Sequence, residues 1–153
     1  MKQASIATAT AEGREWAARL MAGSEPWITL GRGMEACLKA CTDPACDMYI
    51  AHIGDEPCGF LLLHPKGVAG SPYVRSIATA PEFRGRGIGS LLLDHVEKVH
   101  ARSARFLFLC VSSFNPRARA LYERHGYSVV GELPDSVIDG FSEILMIKKL
   151  VQP

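Results

Sequence analysis

With 153 residues, 48% of them hydrophobic, the chain is sized for one compact domain, residues 1–153, that buries a core on both faces of a sheet. Its 17 lysines and arginines against 16 acids leave a formal net charge of +1, which excludes a global field for gripping a nucleic-acid backbone or an anionic membrane. No apolar run reaches the roughly 18 residues that cross a bilayer, and the opening MKQASIATATAEG lacks the apolar core of a secretion signal. A soluble, cytoplasmic protein with no membrane or nucleic-acid partner is expected, and any anion site has to be local.

Alternation over Lys2–Ala9 predicts a short first strand, and Trp16, Leu20 and Met21 sit at helical spacing within Glu12–Met21. A second helix is expected over Met34–Cys41, ended by Thr42-Asp43-Pro44, because proline disfavours helix in the residue before it. Cys37, Cys41 and Cys46 are close enough in sequence to raise the question of a metal. The five cysteines form an odd set without Cys-x-x-Cys spacing and no fourth ligand follows from it, so reduced thiols packing a core are expected and no metal site.

Asp47–Ile53 and Cys58–His64 are β-rich and joined by Gly54-Asp55-Glu56-Pro57, which predicts an antiparallel hairpin. Tyr73–Ala80 predicts a further strand. Next come Arg84-Gly85-Arg86-Gly87-Ile88-Gly89, then Ile88, Leu91, Leu92, Val96 and Val99 tracing one helical face. Phe106–Val111 is a nearly unbroken apolar run, as expected for a strand covered on both faces at the sheet centre. Asn115-Pro116 has the form of an N-cap followed by proline at the first helical position, with Ala118, Leu121 and Tyr122 in the helix and Gly126 ending it. Val129–Glu132 and Glu143–Lys149 supply two last strands, separated by a loop over Leu133–Phe141.

Glycines at alternate positions in Gly85-Arg86-Gly87-Ile88-Gly89 let the backbone turn tightly and leave its amides unshielded by β-carbons. A helix starting at that point adds amides without internal acceptors and the positive end of its dipole, which suits a phosphate or pyrophosphate. Arg84 and Arg86 add local charge. The spacing is Gly-x-Gly-x-Gly, so it is not the dinucleotide fingerprint, and Gly89 is followed by Ser90 and Leu91 without the lysine of a nucleotide P-loop.

With Arg84, Gly87 and Gly89 in its Arg/Gln-x-x-Gly-x-Gly/Ala positions, this stretch resembles the coenzyme-A loop of the GNAT superfamily of N-acetyltransferases. The run Asn115 to Tyr127 resembles that family's second signature, an asparagine seven residues before a tyrosine and a Gly-aromatic end. The likeness covers roughly Tyr49 to Lys149. It implies an α/β (α+β mixed sheet) fold: a mostly antiparallel sheet of six to seven strands, splayed between the fourth and fifth and flanked by about four helices.

The resemblance further implies acetyl-CoA as co-substrate, a small-molecule or peptide amine as acceptor, direct attack in a ternary complex, and a possible homodimer. Carried over by position, Ile77, Ala78 and Thr79 would offer backbone to the acetyl and pantetheine part, as a bound chain mimicking an added strand. Arg84, Gly85, Arg86, Gly87, Ile88, Gly89 and Ser90 would hold the pyrophosphate. Ile77 and Ala78 serve equally as strand packing, and Asn115 either caps its helix or touches coenzyme. Tyr122 would place a hydroxyl beside the departing sulfur; tyrosine titrates near 10 and a thiol near 8.5, so stabilising sulfur is easier for it than full proton donation.

One departure concerns the base. Peptide-N-terminus acetylases of the superfamily carry Leu-Glu-Val where this chain reads Leu109-Cys110-Val111. Glu143 and His64 are the replacement candidates, and Cys110 is expected to be an inert core thiol. An α-amine, about one in ten neutral near pH 7, is then an easier acceptor than a lysine side chain. The alternatives are a non-catalytic acyl-CoA-binding or sensing module, and an interaction domain using Arg75, Arg84, Arg86, Arg117 and Arg119.

Overall fold

The computed structural model describes residues 2–152. Its elements run β1 (Ala4–Thr8), α1 (Ala11–Ala22), α2 (Met34–Cys41), β2 (Asp47–Ile53), β3 (Glu56–Val68), β4 (Ser71–Thr79), a 3-10 turn (Pro81–Phe83), α3 (Ile88–His100), β5 (Phe106–Ser112), α4 (Pro116–Arg124), β6 (Ser128–Leu133) and β7 (Glu143–Lys149). The strands form one seven-stranded sheet in the order β1-β2-β3-β4-β5-β7-β6. Every neighbouring pair is antiparallel except β4 and β5, which run parallel.

The helices start and stop where side chains satisfy their ends. Thr10 accepts from the Gly13 amide at 3.1 Å to open α1, and Asn115 accepts from the Ala118 amide at 3.3 Å to open α4. The second hairpin turns at Ala69-Gly70, both at positive φ, which lets β3 run to Val68 rather than stop at His64. At the first hairpin the turn is tighter than the sequence suggests. Pro57 already lies in β3 opposite His52, at a register shift where its missing amide leaves no ladder bond unmade.

Two apolar clusters cover the two faces. Ala17, Ala18 and Met21 of α1 with Cys37, Ala40 and Cys41 of α2 lie on Met48, Ile50, Phe60 and Leu62. On the other face, Ile88, Leu92, Leu93 and Val96 of α3 lie on Leu61, Leu63, Leu107, Leu109 and Met146. Successive residues of β3 therefore feed opposite clusters, and Phe60 through Leu63 are all fully buried. The strand buried on both faces is thus β3, a correction to the sequence reading of β5. In β5 only Leu107, Leu109 and Val111 are buried in the α3-side cluster; Phe106, Phe108 and Cys110 stay half-buried on the face that α1 and α2 do not reach. Cys37 and Cys41 are core residues, with the Cys41 thiol 3.3 Å from the Met21 sulfur, and burial pushes Cys41 up to about 12.

Gly59 is where α3 sits closest to the sheet. A β-carbon there would stand 2.7 Å from Ile88 Cγ2 and 3.1 Å from the Ala78 carbonyl oxygen. Gly59→Ala is expected to destabilise the protein by about 1–3 kcal/mol through overpacking at that contact. Gly131→Ala, whose β-carbon would meet nothing within 4 Å, is expected to stay near wild type. Urea denaturation of both variants checks the pair; equal midpoints would contradict the close seating of α3.

Candidate active site

The functional geometry begins with a failure of pairing. β4 and β5 meet only at Tyr73 with Phe108 and Val74 with Leu109; beyond those two pairs the strands part. Just past them, β4 carries a bulge: Leu63 opposes Val74 but Leu62 opposes Ser76, so Arg75 is an extra residue. The parting and the bulge together open a cavity of about 480 Å³ between the strands. Ile77, Arg75 and Tyr73 of β4 line it, with Cys110 of β5, Glu143 of β7, and Asn115 and Tyr122 of α4. Trp27 and Arg32, from the segment between α1 and α2, and His64 of β3 also line it. Ser136 and Val137 bring in the β6–β7 loop, which is fixed by Phe114 against Phe141 at 4.8 Å and by the Ser113 amide donating to the Ser142 carbonyl at 2.9 Å.

The proposed catalytic residues Tyr122, Glu143 and His64 therefore share one cavity, with Ile77 and Asn115 beside them. Ala78, Thr79 and the stretch Arg84 to Ser90 do not line it; they continue from the C-terminal end of β4 into the start of α3. Tyr122 is only 6% exposed, and its hydroxyl donates to no group among the described residues; burial pushes its pKa well above the ordinary tyrosine value. Asn115 both caps α4 and faces the cavity.

His64 is held differently. Its Nδ1 accepts from the Lys66 amide at 3.1 Å, so the neutral ring carries its proton on Nε2 and has no second lone pair for a substrate proton. Glu143 makes no hydrogen bond or ion pair among the described residues. Its charge does reach Tyr73 and Cys110, adding to the burial that pushes both up.

At the glycine loop, Gly85 and Gly87 both stand at φ 78°, and β-carbons on either would point into open space. Only glycine takes that left-handed conformation without strain. Gly87 is the N-cap of α3 with no side-chain cap, and the amides from Gly85 through Ser90 donate to no protein acceptor among the described residues. Arg84 and Arg86 are exposed, the Arg84 Nε donating to the Thr79 carbonyl at 3.4 Å and the Arg86 guanidinium lying 5.4 Å from the centre of the Phe83 ring. The first turn of α3 holds no acidic side chain to oppose an anion.

The far side of α3 carries an ion pair and a close histidine–carboxylate contact. Lys148 Nζ lies 2.6 Å from Glu97 Oε1, and His125 Nε2 lies 3.0 Å from Asp94 Oδ1 and 3.3 Å from Glu97 Oε2. Asp94, Glu97 and His125 converge closely enough for a metal, yet the Lys148 ammonium already occupies one Glu97 oxygen. These contacts lock α3 to α4 and β7.

The sequence missed Tyr73 and Arg32 and weighed Arg75 only as surface charge. The one legible signal was Arg75, a charge inside an otherwise apolar strand, which marks either an edge or a bulge.

A mixed sheet split between its parallel strands, with a bare amide array at the helix start that follows, defines the scaffold of an acyltransferase. The family model described as acetyltransferase (GNAT) family matches residues 11–127. An uncharacterized N-acetyltransferase of Methanocaldococcus jannaschii is 36% identical over 108 residues, which cover 69% of this chain and 67% of that protein. Among solved structures, a protein assigned to the GNAT family from Desulfovibrio desulfuricans matches with TM-score 0.82 at 19% identity, covering 97% of this chain and 100% of that one. An aminoglycoside 6'-N-acetyltransferase complexed with coenzyme A matches with TM-score 0.78 at 18% identity, covering 97% and 98%. The chain belongs to the acetyltransferase (GNAT) family and is an acyltransferase enzyme.

Cys110 is the test of whether this site hides a nucleophilic thiol. Burial holds it above its ordinary value, so the fraction of thiolate at neutral pH is small. Alkylation of Cys110, followed by mass spectrometry, is expected to be slower than that of free cysteine at pH 7.5 and to keep accelerating beyond pH 9. A plateau below pH 8 would identify an activated thiol instead.

Proposed function

We propose that the protein transfers the acetyl group of acetyl-CoA to a primary amine, which attacks directly within a ternary complex. The observation that carries this reading is the run of free amides from Gly85 to Ser90 at the positive end of α3, next to a sheet that opens into a cavity. The residues fit the co-substrate. Glycines at Gly85 and Gly87 leave room for a pyrophosphate against the backbone, and Arg84 and Arg86 supply countercharge. β4 from Ile77 to Thr79 has no strand beside it on the β5 side, so the pantetheine arm can lie there as an added strand. When bound, acetyl-CoA supplies an acetyl group already activated as a thioester.

The chain's own groups then divide the work. Tyr122 stays protonated throughout the physiological range, because burial disfavours its phenolate, and it donates a hydrogen bond to the sulfur rather than a whole proton. Glu143 is placed to take the proton the amine must lose, as an acceptor-only group facing the cavity. His64 is a wall residue, its acceptor nitrogen already engaged. With Cys110 held as a thiol, attack by the amine itself is favoured over an acetyl-cysteine route. A weakly basic amine such as an α-amine suits a site with a single, singly charged base.

Three variants separate these roles. Gly87→Val is expected to abolish acetyl-CoA binding in calorimetry, because a β-branched residue cannot hold φ 78° without strain and would shield the amides. Glu143→Gln is expected to lower kcat by about 100-fold or more while leaving acetyl-CoA affinity unchanged. Tyr122→Phe is expected to lower kcat by roughly 10-fold, the loss of one hydrogen bond to developing charge. Wild-type turnover in Glu143→Gln would remove the base assignment. Tight acetyl-CoA binding with no thiol release across a broad amine panel would instead favour a non-catalytic acyl-CoA-binding module.

A further inference from the structure

The charges lining the cleft are unequal in number and sign. Behind the main cavity lies a second hollow of about 620 Å³, and the two share Arg32, Ala40 and Arg75 in their walls. The second hollow adds Lys39 and Asp43. Three cations therefore face one carboxylate there, and that carboxylate is already committed: Asp43 Oδ2 lies 3.0 Å from Arg75 Nη1 and is held ionised by the Ala45 amide and by Arg75. Arg32 makes no ion pair among the described residues. Arg75 is aimed by the bulge that makes it the extra residue of β4; its Nη1 donates to Asp43 at 3.0 Å and to the Cys46 sulfur at 3.7 Å, while its Nη2 and Nε donate to no group among the described residues. Glu143 lines the same main cavity from β7, which β5 separates from β4 in the sheet order.

The cleft thus offers a single anion where an amine reacts and a surplus of guanidinium charge beside it. An acceptor bearing several amines and no anion would bring its spare ammonium groups against Arg32 and Arg75, a like-charge contact that costs binding. An acceptor bearing one amine and one anion complements both signs of charge in the lining. Guanidinium groups favour planar carboxylates and phosphates through paired donors.

Resting on the acetyl-transfer reading above, we infer that the acceptor is an amine whose own molecule carries an anionic group, its anion held by Arg32 and Arg75 while its amine lies toward Glu143. Arg32 and Arg75 are then specificity residues. They belong to the acceptor and not to the coenzyme, whose phosphates have the Gly85–Ser90 amides; Arg75 lies four residues upstream of Thr79 along an extended strand, roughly 13 Å away.

The experiment uses the full chain with acetyl-CoA and follows thiol release. Dipeptides with free C-termini are compared with their C-terminal amides, O-phosphoethanolamine with ethanolamine, and an aminoglycoside serves as the polycation. Each anionic amine in at least one pair is expected to exceed its neutral partner at least 10-fold in kcat/KM, with the aminoglycoside poorest. The two anion classes distinguish a carboxylate from a phosphate acceptor. Arg32→Gln and Arg75→Gln are expected to bring that ratio close to one by raising KM more than they lower kcat, with acetyl-CoA affinity in calorimetry unchanged. Arg32→Glu is expected to reverse the preference toward the amides.

Equal rates within every pair, or preference for the aminoglycoside, would overturn the inference while leaving acetyl transfer intact. So would acetyl-CoA binding without turnover of any anionic amine, or weaker acetyl-CoA binding in Arg32→Gln, which would move these cations to the coenzyme. A protein that binds no acetyl-CoA at all would overturn the functional reading, and this one with it.

Discussion

Everything in the active-site region depends on two parallel strands that pair at Tyr73 with Phe108 and at Val74 with Leu109, and then separate. A sheet edge inside a protein is costly unless its amides and carbonyls find other partners. The parting therefore creates a demand for a ligand that behaves like backbone. The same separation leaves a cavity whose walls come from β3, β4, β5, β7 and α4, so that residues distant in sequence share one small space. The gap is kept open from both faces. The α3-side cluster binds β5 and β7 to α3, while α1 and α2 cover β2 and β3 and stop short of β5.

Two kinds of electrostatics meet at that gap. At the start of α3 the positive character comes from backbone dipoles and uncapped amides, which are fixed in place and need no side-chain ordering. Within the cavity it comes from side chains, Arg32 and Arg75, which share the lining with the carboxylate of Glu143. Between them sit groups that burial keeps neutral, Tyr122, Tyr73 and Cys110. Neutral hydroxyl and thiol groups can orient toward charge without adding any. The Glu97–Lys148 ion pair and the contacts of His125 with Asp94 and Glu97 on the far side of α3 hold the helix that presents the amide array.

The parts of this arrangement that were legible in the sequence are those fixed by local chemistry. Glycines at Gly85 and Gly87 specify a bend by conformational freedom alone, and Asn115-Pro116 specifies a helix start by capping and a fixed φ. Neither needs knowledge of the rest of the chain. The strands were visible as segments, but their faces were not. Phe106 to Val111 is equally apolar whether its second face meets a helix or a cavity, and only the reach of α1 and α2 decides which. For the same reason Tyr73 was read as strand material. Its place beside Cys110 and Glu143 is set by register across three strands, a non-local property. His64 shows the limit from the other side: the sequence ended the strand at it, whereas β3 runs on to Val68, and its engaged nitrogen depends on the backbone two residues later.

The extra residue at Arg75 acts as a phase switch in β4. Upstream of it Val74 belongs with the α3-side cluster; downstream the parity changes, so that Ser76 lies opposite Leu62 and Ile77 opposite Leu61. Drawing Arg75 into the ladder opposite Leu62 would restore strict alternation, put Ile77 opposite Phe60, and rotate Ile77, Ala78 and Thr79 by half a turn about the strand axis. The stretch leading to the glycine bend would then present its other side to the gap, with every amino acid in it unaltered. A frame of one residue thus separates a strand that serves a ligand from one that merely closes the sheet.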